Sequence, residues 1–172
     1  MNSHNDITIN KESRMSDIEA RLDALESRNT IADLVSKYAQ SFDRHNREWL
    51  RSLWFEDSVL NLGPTFGDPF VGIDAIMAAA ETLWAKTPRM HHWMANPLIS
   101  ITGDKGKSEA ALDCFVIDSE DGPTQVGGLY TDYVERRNGV WKIARREFDL
   151  HYWAPLPTWK AATGSDLEVA GV

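Results

Sequence analysis

Cysteine is almost absent from this 172-residue sequence, which contains a single one, Cys114. An internal disulfide is therefore impossible, and the chain must be stabilised by an ordinary hydrophobic core. Its length is sufficient for one domain with such a core and too short for two domains of typical size. Cys114 lies within the apolar run 112–117, which indicates a core residue rather than a reactive thiol.

Long apolar segments and an excess of positive charge are missing as well. No apolar stretch approaches the roughly 20 residues that a membrane-spanning helix needs. The formal net charge of −8 would repel nucleic acid and anionic membranes, so neither is expected as a partner. The polar N-terminal residues lack the hydrophobic core of a signal peptide, and a cytoplasmic location is expected.

The signatures of several large enzyme classes are also missing. There is no glycine-rich phosphate loop, since Gly127 and Gly128 lie inside a strand-like run and no helix follows them. No Cys/His cluster has the spacing of a zinc site, and no serine lies in a nucleophile elbow. Hydride-transfer, kinase and serine-hydrolase functions are therefore disfavoured, and neither a cofactor nor a metal is expected.

Tryptophan, in contrast, is abundant, with seven residues in the chain. Its side chain supplies a large flat surface in a core, an interface or a ligand cavity. Core packing and an oligomer interface would explain most of these residues. Aromatic side chains around a cavity would also suit a flat, ring-containing substrate.

The N-terminal half of the sequence has the apolar spacing of helices. Residues 1–15 are expected to form a flexible arm, and beyond it apolar residues recur at helical spacing up to Asp43. A capping box at Thr30 and Asp33 predicts that the helix breaks near residues 27–29 and restarts. The elements predicted next are a short helix (46–54), a strand (55–62), a loop (65–70) and a third helix (72–86).

The C-terminal half has the residue pattern of long strands. Asn138-Gly139 between two apolar runs is the strongest short signal for a β-hairpin. Helices followed by an antiparallel meander predict an α+β fold, in which the helices cover one face of a curved, mostly antiparallel sheet and enclose a hollow for a small ligand. The single domain is predicted to span 16–159, with a loose tail over 160–172. The predicted strands cover 90–102, 108–118, 124–136 and 140–152.

A few polar side chains in apolar surroundings could carry chemistry. Asp43 ends the first helix, and helix termination alone would also explain it. His91 and His92 are adjacent on a predicted strand, so they point to opposite faces and one of them must face the hollow. Arg145 and Arg146 are related in the same way on the last strand, and an inward arginine would need a carboxylate or an anionic ligand as its partner.

Several short motifs follow one another in an order that gives the chain a family resemblance. Together with the element order, they make it similar to the nuclear transport factor 2-like superfamily, and within it to the SnoaL-like branch of dehydratases and dehydrochlorinases. The resemblance covers about 18–157. The motifs are Tyr-x4-Asp (Tyr38, Asp43), residues 53–57, Phe-x-Gly (Phe70, Gly72), His-x3-Asn-Pro (His92, Asn96, Pro97), Gly-x-Tyr (Gly128, Tyr130) and residues 139–143.

The resemblance implies a cone-shaped α+β barrel with an Asp–His dyad, carried here by Asp43 and His92. It also implies a tyrosine that acts with the dyad, Tyr38, and an arginine on the last strand, Arg146. A homo-oligomer is expected, a trimer before a dimer, with the exposed face of the sheet as its interface. Residues 152–156 are similar to a C-terminus that covers the cavity mouth in a dehydrochlorinase of the branch. The alternative site residues are His91 and Arg145.

Such a dyad can perform acid–base chemistry without a cofactor. Neutral imidazole accepts a proton near pH 7, and a carboxylate on one ring nitrogen fixes the tautomer and stabilises the imidazolium. We therefore predict a cofactor-independent lyase that expels water, halide or a small carbonyl fragment from a small hydrophobic, ring-containing molecule. An isomerase or polyketide cyclase with the same dyad and a non-catalytic ligand-binding module are the alternatives. The side chains expected to contact the substrate are Trp54, Phe66, Trp84, Trp93, Phe115, Tyr130 and Trp153.

Overall fold

The computed structural model describes residues 3–118 and 122–157, and their side chains from Arg14 onward. The tail predicted over 160–172 lies outside these residues. None of the helices in the described ranges has the length and apolarity needed to cross a membrane. The helices are α1 (Ser3–Asp43), α2 (Arg47–Ser52) and α3 (Ile73–Lys86), with a short 3-10 turn at Pro64–Phe66. The strands are β1 (Trp54–Asn61), β2 (Phe70–Val71), β3 (Arg89–Thr102), β4 (Lys105–Asp118), β5 (Gly122–Arg137) and β6 (Val140–Pro155).

The strands form one sheet in the order β2-β1-β6-β5-β4-β3. Strands β3 to β6 are an antiparallel meander, β2 is antiparallel to β1, and only the pairing of β1 with β6 is parallel. The predicted hairpin at Asn138-Gly139 is confirmed, because both residues have a positive φ, 52° and 78°, as a tight two-residue turn requires. The predicted α+β class, with helices on one face of a curved, mostly antiparallel sheet, is confirmed.

Helix α1 is longer than the sequence predicts. It begins at Ser3, so residues 3–15, expected to be a flexible arm, are helical and continue the helix that is anchored further along. The predicted break near residues 27–29 is wrong. Thr30 donates its hydroxyl to the Glu26 carbonyl within the helix (2.8 Å), and the buried Ser27 accepts a hydrogen bond from the Trp141 indole (3.0 Å).

The hydrophobic core lies between the helices and the concave face of the sheet. Helix α1 contributes a buried stripe at helical spacing, and α3 contributes a second one. Asn46 caps α2 by accepting a hydrogen bond from the Trp49 backbone N–H (2.9 Å), which turns the chain sharply after α1. The two stripes are Ile31, Leu34, Tyr38 and Phe42 on α1, and Ile73, Ile76, Met77 and Ala80 on α3.

A bulge at Ala144 decides which arginine of β6 faces the core. Ala144 has no partner on β5, because its neighbours Ile143 and Arg145 pair with consecutive residues of that strand. An extra residue reverses the alternation of side chains. Ile143 before the bulge and Arg146 after it therefore both face the helices, whereas Arg145 points to the other side of the sheet.

A second bulge, at His151, sets the direction of the last residues of β6. The residues on either side of it pair with consecutive glycines of β5. The bulge brings Trp153 to the concave face, on the same side as Phe148. The two strand backbones approach so closely here that a methyl group at Gly128 would collide with the Asp149 carbonyl oxygen.

Candidate active site

A cavity of about 520 Å³ lies between α1, α3 and the concave face of the sheet. Its floor contains the buried residues Tyr38, Phe42 and Tyr130, and its wall is mostly apolar. The exposed side chains Phe66 and Trp153 lie at its opening, 37% and 51% exposed, and Thr82 and Lys86 of α3 also line the cavity. This volume and lining suit a small hydrophobic molecule.

Asp43 and His92 are in direct contact at this floor. The Nδ1 atom of His92 lies 2.6 Å from Oδ1 of Asp43, and the His92 backbone N–H donates to the same carboxylate at 3.0 and 3.2 Å. The side chain of His92 is 7% exposed and that of Asp43 is 13% exposed. Because the carboxylate is held at Nδ1, this nitrogen carries the proton of the neutral ring, and Nε2 is left with a free lone pair.

Strand alternation separates the two adjacent histidines. His92 lines the cavity together with Met90, two residues before it on β3. His91 points to the opposite face of the sheet, where it is exposed and its ring lies 4.2 Å from the ring of Trp93. The structure therefore brings His92, and not His91, to Asp43.

Tyr38 lies one and a half turns before Asp43 on α1 and faces the same cavity. Its ring is edge-on to the His92 ring, with the centroids 6.5 Å apart, and 5.6 Å from the Tyr130 ring. Burial raises the pKa of the Tyr38 hydroxyl, and the opposing effects of the Arg146 charge and the Tyr130 hydroxyl are smaller. The phenol therefore stays protonated at neutral pH and can act as a hydrogen-bond donor or an acid.

Arg146 is fully buried, but it lies behind the cavity wall. Asp132 binds it in a bidentate pair, with Nε 2.5 Å from Oδ1 and Nη2 2.6 Å from Oδ2. Its guanidinium carbon lies 3.7 Å from the centroid of the Tyr38 ring and 4.6 Å from that of Tyr130. Burial opposes the charge, but the Asp132 carboxylate outweighs this effect and keeps the pKa of Arg146 above its ordinary value.

A further polar group of the inner wall is the Cys114 thiol. It is 2% exposed, and burial raises its pKa to about 12, with the Asp43 charge as a smaller cause. The thiol is therefore neutral at physiological pH and is not a nucleophile. Across the described ranges, no three His, Cys, Asp or Glu side chains come together in a way that could hold a metal ion.

Only three of the seven predicted contact residues line the cavity, namely Phe66, Tyr130 and Trp153. Trp54 is buried in the core at the start of β1, and Trp84 packs between the rings of Phe42 and His45. Trp93 and Phe115 pack against each other on the convex face of the sheet (5.5 Å), because strand alternation turns them away from the helices.

The sequence did not point to several residues that the structure places at the site. Phe148 lines the cavity, 4.7 Å from the Tyr130 ring, and Asp132 holds Arg146. A usable signal for Asp132 existed, since it lies two residues after Tyr130 and shares its face of β5. Arg145, the alternative to Arg146, is 43% exposed and pairs with Glu147 on the convex face (2.7 Å).

Comparison with known proteins agrees with this architecture. The sequence profile of the SnoaL-like domain matches residues 23–147. The chain is 28% identical over 141 residues to the gamma-hexachlorocyclohexane dehydrochlorinase of Sphingobium indicum, covering 78% of this chain and 87% of that protein. The crystal structure of a type 2 hexachlorocyclohexane dehydrochlorinase (LinA) matches with a TM-score of 0.79 at 25% identity, covering 84% of this chain and 98% of the other.

Two further solved structures are similar. A crystal structure of LinA has a TM-score of 0.77 at 26% identity, over 83% of this chain and 98% of the other. A scytalone dehydratase-like protein of Novosphingobium aromaticivorans shares the fold, with a TM-score of 0.71 at 21% identity over 81% of this chain and 93% of the other. Since the family profile spans most of the chain and the fold agrees, the resemblance seen in the sequence is confirmed, and the chain belongs to the SnoaL-like domain family.

Proposed function

We propose that this chain is a cofactor-independent lyase in which His92, held by Asp43, takes a proton from a small hydrophobic, ring-containing substrate. The observation that carries this proposal is the 2.6 Å contact between the two side chains at the floor of a largely apolar cavity. A buried carboxylate–imidazole pair of this kind is a means of proton abstraction. The similarity of the chain to hexachlorocyclohexane dehydrochlorinases supports an elimination reaction of this class.

The proposed step is an elimination. Nε2 of His92 takes a proton from a substrate carbon, the electrons of the broken C–H bond form a new double bond, and the neighbouring carbon releases its leaving group with the bonding electrons. Asp43 stabilises the imidazolium, and the apolar wall strengthens this interaction because it excludes water. A halide departs as the anion, and the imidazolium then returns its proton to solvent.

Tyr38 is proposed to protonate the leaving group. A departing hydroxyl takes the Tyr38 proton and leaves as water, and the imidazolium of His92 then reprotonates the phenolate. Burial keeps the pKa of Tyr38 above its ordinary value, which favours the protonated form that this role requires. For release of a small carbonyl fragment, Nε2 of His92 instead takes the proton of a substrate hydroxyl, and the electrons of that O–H bond form the carbonyl while the adjacent C–C bond breaks. The carbon that keeps the electrons of this C–C bond then takes the proton back from the His92 imidazolium.

Arg146 was expected to stabilise negative charge in the cavity directly, and its position behind the wall argues for an indirect role. We propose that Arg146 is a positioning residue that acts through Tyr38, whose ring lies 3.7 Å from its guanidinium carbon. The positive charge behind the ring also favours the transient phenolate.

The substrate contacts are proposed to come from the aromatic side chains of the mouth and floor. Phe66 lies 6.2 Å from Trp153 and 6.4 Å from Phe148, measured between ring centroids, so the three line one side of the opening. Flat aromatic faces around an apolar space favour a ring-shaped ligand. We propose that Tyr130 completes this surface at the floor.

We also propose that the chain is a homo-oligomer, a trimer before a dimer, with the convex face of the sheet as an interface. Trp93, Tyr133 and Tyr152 are 46%, 41% and 43% exposed on strands that no described helix covers on this side. Large aromatic side chains are enriched in protein interfaces. Light scattering at micromolar concentration should give the mass of an oligomer, and a monomeric mass would contradict the proposal.

A panel of chlorinated and hydroxylated alicyclic and aromatic compounds tests the function. Release of chloride or formation of the unsaturated product should be detected for at least one class of compound, and His92→Ala should abolish it. Incorporation of solvent deuterium without loss of a leaving group would instead favour the isomerase or cyclase. Quenching of tryptophan fluorescence without any turnover would favour the ligand-binding module.

A further inference from the structure

We propose that the N-terminal part of α1, residues 14–26, forms a parallel coiled coil with the same segment of other copies of this chain. Four large apolar side chains of this segment are more than half exposed: Met15 (52%), Ile18 (54%), Leu22 (53%) and Leu25 (60%). Their spacing of three, four and three residues is that of the a and d positions of a heptad repeat. This inference is independent of the chemistry proposed above.

The apolar stripe points away from the domain to which α1 belongs. The opposite side of the helix holds α1 on its own sheet, through the ion pair of Asp23 with Arg136 (2.6 Å) and the hydrogen bond of Ser27 with Trp141 (3.0 Å). At about 100° per residue, these two positions and the fully buried Ile31 lie roughly across the helix from the stripe. The domain's own contacts therefore leave the stripe accessible to another molecule.

Most of the stripe also precedes the residues that the family profile matches. The SnoaL-like profile begins its match at residue 23, whereas Met15, Ile18 and Leu22 lie before that point. The profile match therefore does not account for these apolar residues, and a contact beyond the domain is a reason for them.

The charges beside the stripe identify the occupant as another copy in parallel orientation. With Met15 and Leu22 at a, the g positions are Arg14 and Arg21 and the e positions are Glu19 and Glu26, all of them exposed. In a parallel pair, each g residue faces the e residue of the partner's next heptad, so every such contact joins an arginine to a glutamate. An antiparallel pair would place g against g and e against e, which brings like charges together.

The core residues are compatible with more than two copies. The a positions hold Met15 and Leu22 and the d positions hold Ile18 and Leu25, so isoleucine at d, a feature of three- and four-stranded coils, occurs in one of the two heptads. Two heptads are too short to associate strongly on their own. The coil therefore contributes to the association of the whole chain and does not drive it alone.

Disulfide trapping of the full-length chain tests this proposal. In a parallel, in-register coil residue 25 lies against its own counterpart, so Leu25→Cys should give a covalent dimer on mild oxidation at micromolar concentration. Ala24→Cys is the matched control, because Ala24 is also exposed but lies outside the seam, and its cross-linking should be about tenfold slower. The native Cys114 is 2% exposed and does not compete.

Charge variants in the Leu25→Cys background separate a specific coil from random collision. Glu19→Arg with Glu26→Arg places arginine at every e and g position, and cross-linking should fall about tenfold. Adding Arg14→Glu and Arg21→Glu exchanges the two rows of charge and should restore it, while circular dichroism shows an unchanged fold. Equal cross-linking of Leu25→Cys and Ala24→Cys, no cross-linking of either, or insensitivity to the charges would overturn the proposal.

Discussion

Arg146 and Asp132 form a bidentate ion pair that is buried behind the cavity wall, with N–O distances of 2.5 and 2.6 Å. Taking two charges out of water is costly, and the pair persists because each charge satisfies the other. The guanidinium lies against the Tyr38 ring, so the pair fixes a residue of the cavity floor without touching the cavity itself.

Asp132→Asn should destabilise the fold strongly, because it leaves the Arg146 charge buried and uncompensated. Loss of one partner of a buried pair costs about 3–5 kcal/mol in the free energy of unfolding. Glu147→Gln is the control, since it breaks the half-exposed pair with Arg145 on the convex face and should cost less than about 1 kcal/mol. Urea unfolding followed by circular dichroism measures both values. Equal losses in the two variants would show that the buried pair has no special role.

Tyr38→Phe should lower kcat and leave the fold intact, because phenylalanine keeps the ring that packs on Arg146 and removes only the hydroxyl. Loss of an acid catalyst reduces turnover roughly 10²–10⁴-fold, and the loss should be larger for a hydroxyl leaving group than for a halide. KM should change little. Steady-state kinetics on one substrate of each type measure this difference, and an equal effect on both would remove Tyr38 from the protonation step.

The pH dependence of the wild-type enzyme should reflect the same tyrosine. Burial raises the pKa of Tyr38 above its usual value of 10.0, and the residue acts in its protonated form. The protonated form of Tyr38 is therefore fully present up to neutral pH and is lost only as the pH rises through the raised pKa. Tyr38 should therefore cause no decline in kcat below about pH 10. A decline in that range that occurs in the wild type and is absent from Tyr38→Phe is not expected. Such a decline near pH 8 would contradict the protonated role.

The fold could be predicted from the sequence because its elements have strong periodic patterns. The stripe at Ile31, Leu34 and Tyr38 and the hairpin at Asn138-Gly139 are local signals that the tertiary structure reinforces. The start and continuity of α1 could not be predicted, since Thr30 suits a helix restart and an internal hydroxyl contact equally well. The deciding contact, from Ser27 to Trp141, joins residues far apart in sequence.

The site was harder to predict because adjacent residues of a strand differ only in the face they occupy. Strict alternation from Ile143 would have placed Arg145 inside, and the bulge at Ala144 places Arg146 there instead. No local sequence pattern around Ala144 indicates a β-bulge. The same limit applies to the aromatic residues, since Trp93 lies next to His92 in sequence and yet occupies the convex face of the sheet.

The two adjacent histidines offer a matched pair of variants. His92→Ala should abolish turnover, because it removes the ring whose Nδ1 lies 2.6 Å from Asp43. His91→Ala should retain nearly full activity, since that ring contacts Trp93 on the opposite face. Asp43→Asn should resemble His92→Ala in kcat, because a neutral amide stabilises the imidazolium poorly. Comparable activity losses in His91→Ala and His92→Ala would refute the assignment of the base.

Cys114 should be almost unreactive in the native protein even though it lines the cavity. Burial raises its pKa to about 12, so at pH 8.5 only about one thiol in three thousand is ionised, and the thiolate is the reactive form. Alkylation by iodoacetamide, followed by mass spectrometry, should therefore be about a thousandfold slower than in the chain unfolded by urea. A cavity ligand should slow it further, because Cys114 and His92 line the same wall. Rapid labelling of the native chain would mean that water enters the cavity freely, and the dry environment assigned to His92 and Asp43 would then be wrong.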